Sequence, residues 1–267
     1  MRSPEPYQLR TVFISDLHLG SRNCQVEPLI AFLGQIHAER IYLVGDVFDL
    51  WWMTRFRTRF GRAERRVIQR LDQLSRAGTE VIYIPGNHDA PIRGWSGQLL
   101  AHWKIRRRAI HSMADGRRLL VTHGDEFDAQ VRLGGFKENL GEWLYEAILS
   151  GNRWANRLRT ALGLPYWSLA CFLKRQSQAA EAFIDRFRAA TLADVRQRGL
   201  DGVICGHVHR AELREIDGLI YANDGDWVES LTALTEDHCG RLSLVNCANL
   251  PLVLNQLEPL REVVAPV

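Results

Sequence analysis

Ile41-Tyr42-Leu43-Val44-Gly45-Asp46-Val47-Phe48-Asp49 is an apolar run that stops at a glycine and two carboxylates three residues apart. A buried parallel strand delivers a ligand to the rim of its sheet in this way, because the chain must turn sharply where the apolar residues end. The pattern recurs at Val12-Phe13-Ile14-Ser15-Asp16-Leu17-His18, Val81-Ile82-Tyr83-Ile84-Pro85-Gly86-Asn87-His88-Asp89, Leu119-Leu120-Val121-Thr122-His123-Gly124-Asp125 and Gly202-Val203-Ile204-Cys205-Gly206-His207-Val208-His209. A lone aspartate behind a strand is more often a turn residue or a helix cap. Five such tips in register point to a metal site.

The strands around these tips alternate with helical periodicity. A strand is expected over 11–15 and a helix over 25–39, with Leu29, Ile30, Leu33 and Ile36 on one face. Next come a strand over 41–44, a helix over 57–77 striped by Val67, Ile68, Leu71 and Leu74, and a strand over 80–84. This alternation implies right-handed crossovers and a parallel core. Asp115-Gly116 and Asp217-Gly218 each sit between short apolar runs and read as hairpins. From 127 to 199 apolar residues return at helical spacing with no ligand-tipped strand, as expected of a helical cap inserted into a single domain spanning 1–267.

The bulk properties fit a globular α/β enzyme. The 46% hydrophobic content supplies a full core. Thirty-four basic residues against 31 acidic ones leave a net charge of +3, too small an excess to argue for nucleic acid and compatible with an anionic substrate. The odd set Cys24, Cys171, Cys205, Cys239 and Cys247 contains no CxxC pair and reads as free thiols in a reducing compartment. Met1 to Arg10 lacks the apolar run of a signal peptide, and no window approaches the ~18 apolar residues of a membrane span. The expected location is the cytoplasm, with membrane contact only from the surface.

The strand tips offer Asp16, His18, Asp46, Asn87, His123, His207 and His209, a set of oxygen and imidazole donors without a thiolate. Such donors suit manganese, iron or zinc in a hydrolytic site and argue against a structural cysteine zinc. Seven donors exceed what one tetrahedral ion takes. With one carboxylate shared they suffice for two ions, which clamp the attacking and leaving oxygens of a phosphoryl transfer.

These residues resemble the calcineurin-like metallophosphoesterases, whose motifs D-x-H, G-D-x-x-D, G-N-H-[DE], a later strand-end histidine and G-H-x-H all occur in order from Asp16 to His209. The resemblance implies a two-sheet sandwich flanked by helices. It also implies that Asp16, His18 and His209 hold one divalent ion, most simply manganese, that Asn87, His123 and His207 hold a second, and that Asp46 bridges them. In that family the histidine at the position of His88 is a general acid or hydrogen-bond donor, oriented by the carboxylate at Asp49, and metal-activated water is the nucleophile.

A narrower resemblance rests on Gly45-Asp46-Val47-Phe48-Asp49-Leu50-Trp51, on the Leu164-Pro165-Tyr166-Trp167 break and on Asn223-Asp224-Gly225-Asp226-Trp227. It is to the UDP-2,3-diacylglucosamine pyrophosphatases, cytoplasmic enzymes peripheral to the inner membrane that split a nucleotide-linked lipid sugar. Established members carry arginine where this chain has His88, which places the sequence on a related branch. The alternatives are another phosphatase or phosphodiesterase, and a non-catalytic scaffold that would be expected to have lost ligands.

Outside the motifs, His37, His102, His111 and His238 read as surface or core histidines. The basic run Arg55, Arg57, Arg59, Arg62, Arg65 and Arg66 reads first as a solvated helix face, with Arg55 and Arg57 the members closest to the Asp46 motif. Trp51, Trp52, Trp143, Trp154 and Trp167 are explained mostly by packing, and an apolar acyl pocket is the functional alternative.

Overall fold

The computed structural model describes residues 6–131 and 178–248, together with Arg159, Leu162 and Val263–Val264. In chain order the elements are β1 (Tyr7–Ile14), α1 (Val26–Gln35), β2 (Ile36–Val44), α2 (Leu50–Phe56), α3 (Arg62–Arg76), β3 (Glu80–Ile84), β4 (Leu99–Leu100), β5 (Trp103–Ile105), β6 (Ala109–Ser112) and β7 (Arg118–Val121). They continue as α4 (Asp128–Val131), α5 (Gln178–Gln197), β8 (Gly202–Cys205), β9 (Glu212–Ile216), β10 (Leu219–Asn223), β11 (Thr232–Glu236), β12 (Leu242–Asn246) and β13 (Val263–Val264).

Two sheets result, ordered β12-β11-β1-β2-β3-β5-β4 and β13-β9-β10-β8-β7-β6. Each has a parallel centre, β1-β2-β3-β5 in the first and β10-β8-β7 in the second, edged by antiparallel strands. Phe13, Tyr42, Val44 and Ile84 of the first sheet meet Val121, Ile204 and Ala222 of the second in one buried layer. On the outer face of the first sheet, Val12, Ile14, Ile41 and Leu43 pack under Leu29 and Leu33 of α1 and Val67 and Leu71 of α3. Phe187, Leu192 and Val195 of α5 cover Leu120, Val203 and Tyr221 of the second. The central strands are therefore buried on both faces, which is why their sequences are apolar runs and not alternating ones.

Two element boundaries differ from expectation. The helix expected to run to residue 39 ends at Gln35, because Ile36, His37 and Ala38 pair in parallel with Tyr7, Gln8 and Leu9 and lengthen both strands. Ile36 fits the helical stripe but is extended (φ −114°, ψ 148°). The helix expected from Arg57 starts only at Arg62, and a separate short helix, α2, precedes it. Asp49 caps α2 by accepting from the Trp52 amide, Arg57 closes it in the left-handed region (φ 51°), and α3 begins only after Gly61. The α4 and α5 segments at the ends of the 127–199 stretch are helical, and most of the expected cap between them lies outside the described residues.

Candidate active site

All five ligand-bearing loops leave the carboxyl ends of parallel strands, the rim where such sheets place ligands. Backbone bonds stitch the rim together: Asp16 N donates to Gly45 O (3.0 Å), His18 N to Asp46 O (2.9 Å) and Gly206 N to His123 O (3.1 Å). Two glycines allow the loops to close this far. Gly45 has φ +91°, and a Cβ there would overlap the His123 ring; a Cβ on Gly86 would overlap the Asp46 carboxylate. Asp16, His18, Asp46, His207 and His209 themselves adopt positive φ, a conformation aspartate and histidine tolerate better than most residues.

The side chains converge in two groups. Asp16 Oδ1 lies 3.1 Å from His209 Nε2 and 3.7 Å from His18 Nε2, and the two imidazole nitrogens are 3.4 Å apart. Asn87 Oδ1 lies 3.2 Å from His123 Nε2, which is 3.5 Å from Asp46 Oδ2. Asp46 Oδ2 is also 3.9 Å from His18 Nε2, so it stands between the groups. Donors bound to one ion at ~2.0–2.2 Å sit about 3 to 3.5 Å from each other, which the 3.1, 3.2, 3.4 and 3.5 Å separations match, while His18 Nε2 stands slightly farther from the two carboxylates.

The second ring nitrogen has a partner in His123, His18 and His207, whereas His209 Nδ1 is buried with no hydrogen-bond partner among the described residues. His123 Nδ1 donates to the Val44 carbonyl (2.9 Å), and His18 Nδ1 donates to Asp49 Oδ2 (3.3 Å), so in both rings Nε2 is the nitrogen left for an ion. His207 is turned differently: its Nε2 donates to Asp128 Oδ1 (2.8 Å), leaving Nδ1 as its available nitrogen, and its ring lies 5.1 Å from that of His123. Among the described residues, the acidic and imidazole groups whose donor atoms all lie within 4.8 Å of one another are Asp16-His18-His209, His18-Asp49-His88 and Asp16-Asp46-His123, and His207 belongs to none of them.

The charge balance of the cluster also fits a cation. Burial alone would raise the Asp16 carboxyl, yet the charges of His209 and His123 and hydrogen bonds from His18 and His209 hold it well below the usual range. Asp46 behaves alike through the charge and hydrogen bond of His123. Burial would depress His18 and His123, but hydrogen bonds to Asp16 and Asp49 lift the first and the charges of Asp46 and Asp16 lift the second, both well above the ordinary imidazole value. The buried carboxylates thus hold protons on their neighbouring rings, and divalent ions are the charge that would replace those protons.

His88 lies beside this cluster. Its Nδ1 donates to Asp49 Oδ1 (3.0 Å), its Nε2 is 4.0 Å from Asp46 Oδ2, its amide donates to Asp46 Oδ1 (2.8 Å), and its ring meets His18 edge to face at 4.7 Å. Burial would raise Asp49, but the hydrogen bonds from His18 and His88 hold it below the usual carboxylate range.

Sequence reasoning left three supports unassigned. Asp89 is fully buried and accepts from Val47 N (2.8 Å), Phe48 N (3.3 Å), Gly86 N (2.5 Å) and the Tyr83 hydroxyl, which ties the β2 loop to the β3 loop. Ser15 Oγ lies 2.6 Å from both Asp16 Oδ2 and Asp224 Oδ1. One hydroxyl proton cannot serve two carboxylates. Burial pushes the Asp224 carboxyl well up, against its Ser15 bond and with the charge of Asp16. Asp128 is the third. Asp89 and Asp224 stood inside the quoted motifs, but their partners are brought to them only by folding.

Residues 9–211 match the model of the calcineurin-like phosphoesterase family. Among curated proteins, the UDP-2,3-diacylglucosamine hydrolase of Chromohalobacter salexigens is 29% identical over 225 residues, covering 79% of this chain and 85% of that one. The protein of the same name from Stenotrophomonas maltophilia is 28% identical over 265 residues, covering 87% and 96%. Among solved structures, the phosphoesterase Yfce from E. coli aligns with a TM-score of 0.48 at 17% identity, covering 95% of this chain and 98% of that one. With the family model matched from β1 to beyond the last rim histidine, the chain belongs to the calcineurin-like phosphoesterases and is a metal-dependent hydrolase of phosphorus ester or anhydride bonds.

Proposed function

We propose that the protein is a dinuclear phosphohydrolase that cleaves the phosphoanhydride of a nucleotide-linked lipid sugar of the UDP-2,3-diacylglucosamine type. Asp16, His18 and His209 would hold one divalent ion and Asn87, His123 and His207 the other, with Asp46 available to both; manganese suits this donor set. The observation that carries the reading is the place of Asp46 Oδ2, within 4 Å of both His18 Nε2 and His123 Nε2. Two such ions, when bound, supply the charge that acidifies a water for attack and neutralises the phosphoryl oxygens.

The chain's own residues supply the proton. Asp49 accepts from Nδ1–H of His88 and sets the orientation of its ring, so that Nε2, on the Asp46 side, is aimed to donate, when it carries a proton, to an oxygen of the reacting phosphoryl group. The Ser15 hydroxyl and the His207 amide occupy the far oxygen of Asp16, and the Val44 carbonyl fixes His123. The cap within 127–199 belongs to the same single domain and receives the acyl chains, working from the cytoplasmic side against the inner membrane. No described helix is long and apolar enough to cross a membrane.

The test is to incubate the manganese-loaded protein with UDP-2,3-diacylglucosamine and follow UMP, with a simple aryl phosphodiester in parallel. His88→Ala is expected to lower turnover by roughly 10²–10⁴-fold with metal content intact, and Asp46→Asn to lose both metal and turnover. Wild-type rates in both variants, or purified protein that takes up no transition metal, would sink the reading.

A further inference from the structure

The basic run divides once folded. On α3, Arg66 pairs with Glu27 (3.1 Å) and Arg65 reaches the Phe60 carbonyl (3.2 Å), as a solvated helix face does. Arg55 is placed otherwise. It lies on α2, a seven-residue helix with no buried side chain, whose Trp51 and Phe56 are 49% and 50% exposed. Its guanidinium stands 5.4 Å over the Trp51 ring and 5.8 Å over the Phe56 ring, and among the described residues no carboxylate pairs with it. Trp51 in turn stands edge to face with His88 at 6.2 Å.

A helix this short is unstable by itself, and of its residues only Leu50 packs, partly buried, against the core. Its cap is Asp49, whose Oδ1 accepts from both the Trp52 amide (2.9 Å) and His88 Nδ1 (3.0 Å). The helix is thus hooked to the proposed proton donor through a single oxygen. A cation on an aromatic face is held in place without being neutralised, and its in-plane N–H donors stay free for a bidentate anion.

Resting on the proposed phosphohydrolase function, we infer that Trp51 and Arg55 form a subsite for the second phosphoryl group of a diphosphate diester. Trp51 holds the guanidinium, and Arg55 binds the anionic oxygens beyond the reacting phosphorus. The subsite selects substrates with two linked phosphoryl groups over simple phosphodiesters.

The experiment compares bis(4-nitrophenyl) phosphate with P1,P2-bis(4-nitrophenyl) diphosphate, which differ by one phosphoryl group, on the manganese-loaded protein. The ratio of kcat/KM for the diphosphate over the monophosphate is expected to fall at least tenfold in Arg55→Ala and in Trp51→Ala. Trp51→Phe should keep most of the ratio, and Arg55→Lys should restore only part, since an ammonium lacks the planar fork. Calorimetry with methylenediphosphonate should show the same loss of affinity in Arg55→Ala relative to inorganic phosphate. An unchanged ratio, even with both rates reduced, overturns the subsite. Inactivity of the wild type toward both substrates would instead count against the hydrolase reading. Calorimetry then decides the subsite, with equal methylenediphosphonate affinity in wild type and Arg55→Ala overturning it.

Discussion

Asp89 touches none of the candidate metal donors directly, yet the loops that carry Asp46 and Asn87 both hang on its two oxygens. Removing it would orphan three backbone amides and the Tyr83 hydroxyl in a buried setting, where each unsatisfied group costs about 1–3 kcal/mol and the costs do not add fully. Asp89→Ala is therefore expected to lose about 3 kcal/mol of stability in urea titration, and Asp89→Asn less, because the amide keeps one acceptor. A loss under about 1 kcal/mol for Asp89→Ala would contradict this account. Most rim residues were legible from the sequence because apolar runs of fixed length aim their tips at one edge. The nitrogen used by each histidine was not legible. His207 turns its Nε2 to Asp128, 79 positions earlier, and His123 turns its Nδ1 to Val44, again 79 positions away; neither pairing leaves a local signature.

The β6-β7 hairpin shows how elements are held in register across the two sheets. Glu236 on β11 of the first sheet accepts from Arg10 Nη1 (2.7 Å), from His111 Nε2 on β6 (2.8 Å) and from the Ala114 amide in the hairpin turn (2.8 Å). Burial would raise this carboxyl, but the hydrogen bonds from His111 and Ala114 hold it below its ordinary value. A depressed carboxyl stabilises the fold above its unfolded pKa and loses that contribution as pH falls through the folded one. Stability should thus be level above about pH 4.5 and decline below it. Glu236→Gln should flatten that acid decline and cost roughly 2 kcal/mol at neutral pH, read from urea midpoints at several pH values. An acid limb unchanged in the variant would place the titration elsewhere. The hairpin itself was legible from Asp115-Gly116, whereas the end of α1 was not. Ile36 obeys the helical stripe and yields only to a ladder with Tyr7 that the sequence does not announce. The short α2 hid for a similar reason, since the side chain that caps it is the one that also holds His88.

For the molecule as a whole, ions that bind only the folded rim add to its stability by mass action. At a hundredfold excess over the dissociation constant one site contributes about 2.7 kcal/mol, which for a chain of this size is roughly 5–10 °C in Tm. Calorimetric scans with and without chelator should show that shift, and Asp46→Asn should abolish it; an equal shift in the variant would mean that metal binds elsewhere. The backbone of the rim adds a second consequence. Asp16, His18, Asp46, His207 and His209 all hold positive φ, and each such residue costs on the order of 1 kcal/mol. Together that approaches the whole net stability of a marginal domain, about 5 kcal/mol. A lineage relieved of the chemistry would gain robustness by trading these side chains for glycine, each exchange a step that selection for folding alone would welcome. In this chain all five positions carry side chains, and the rim holds its strain.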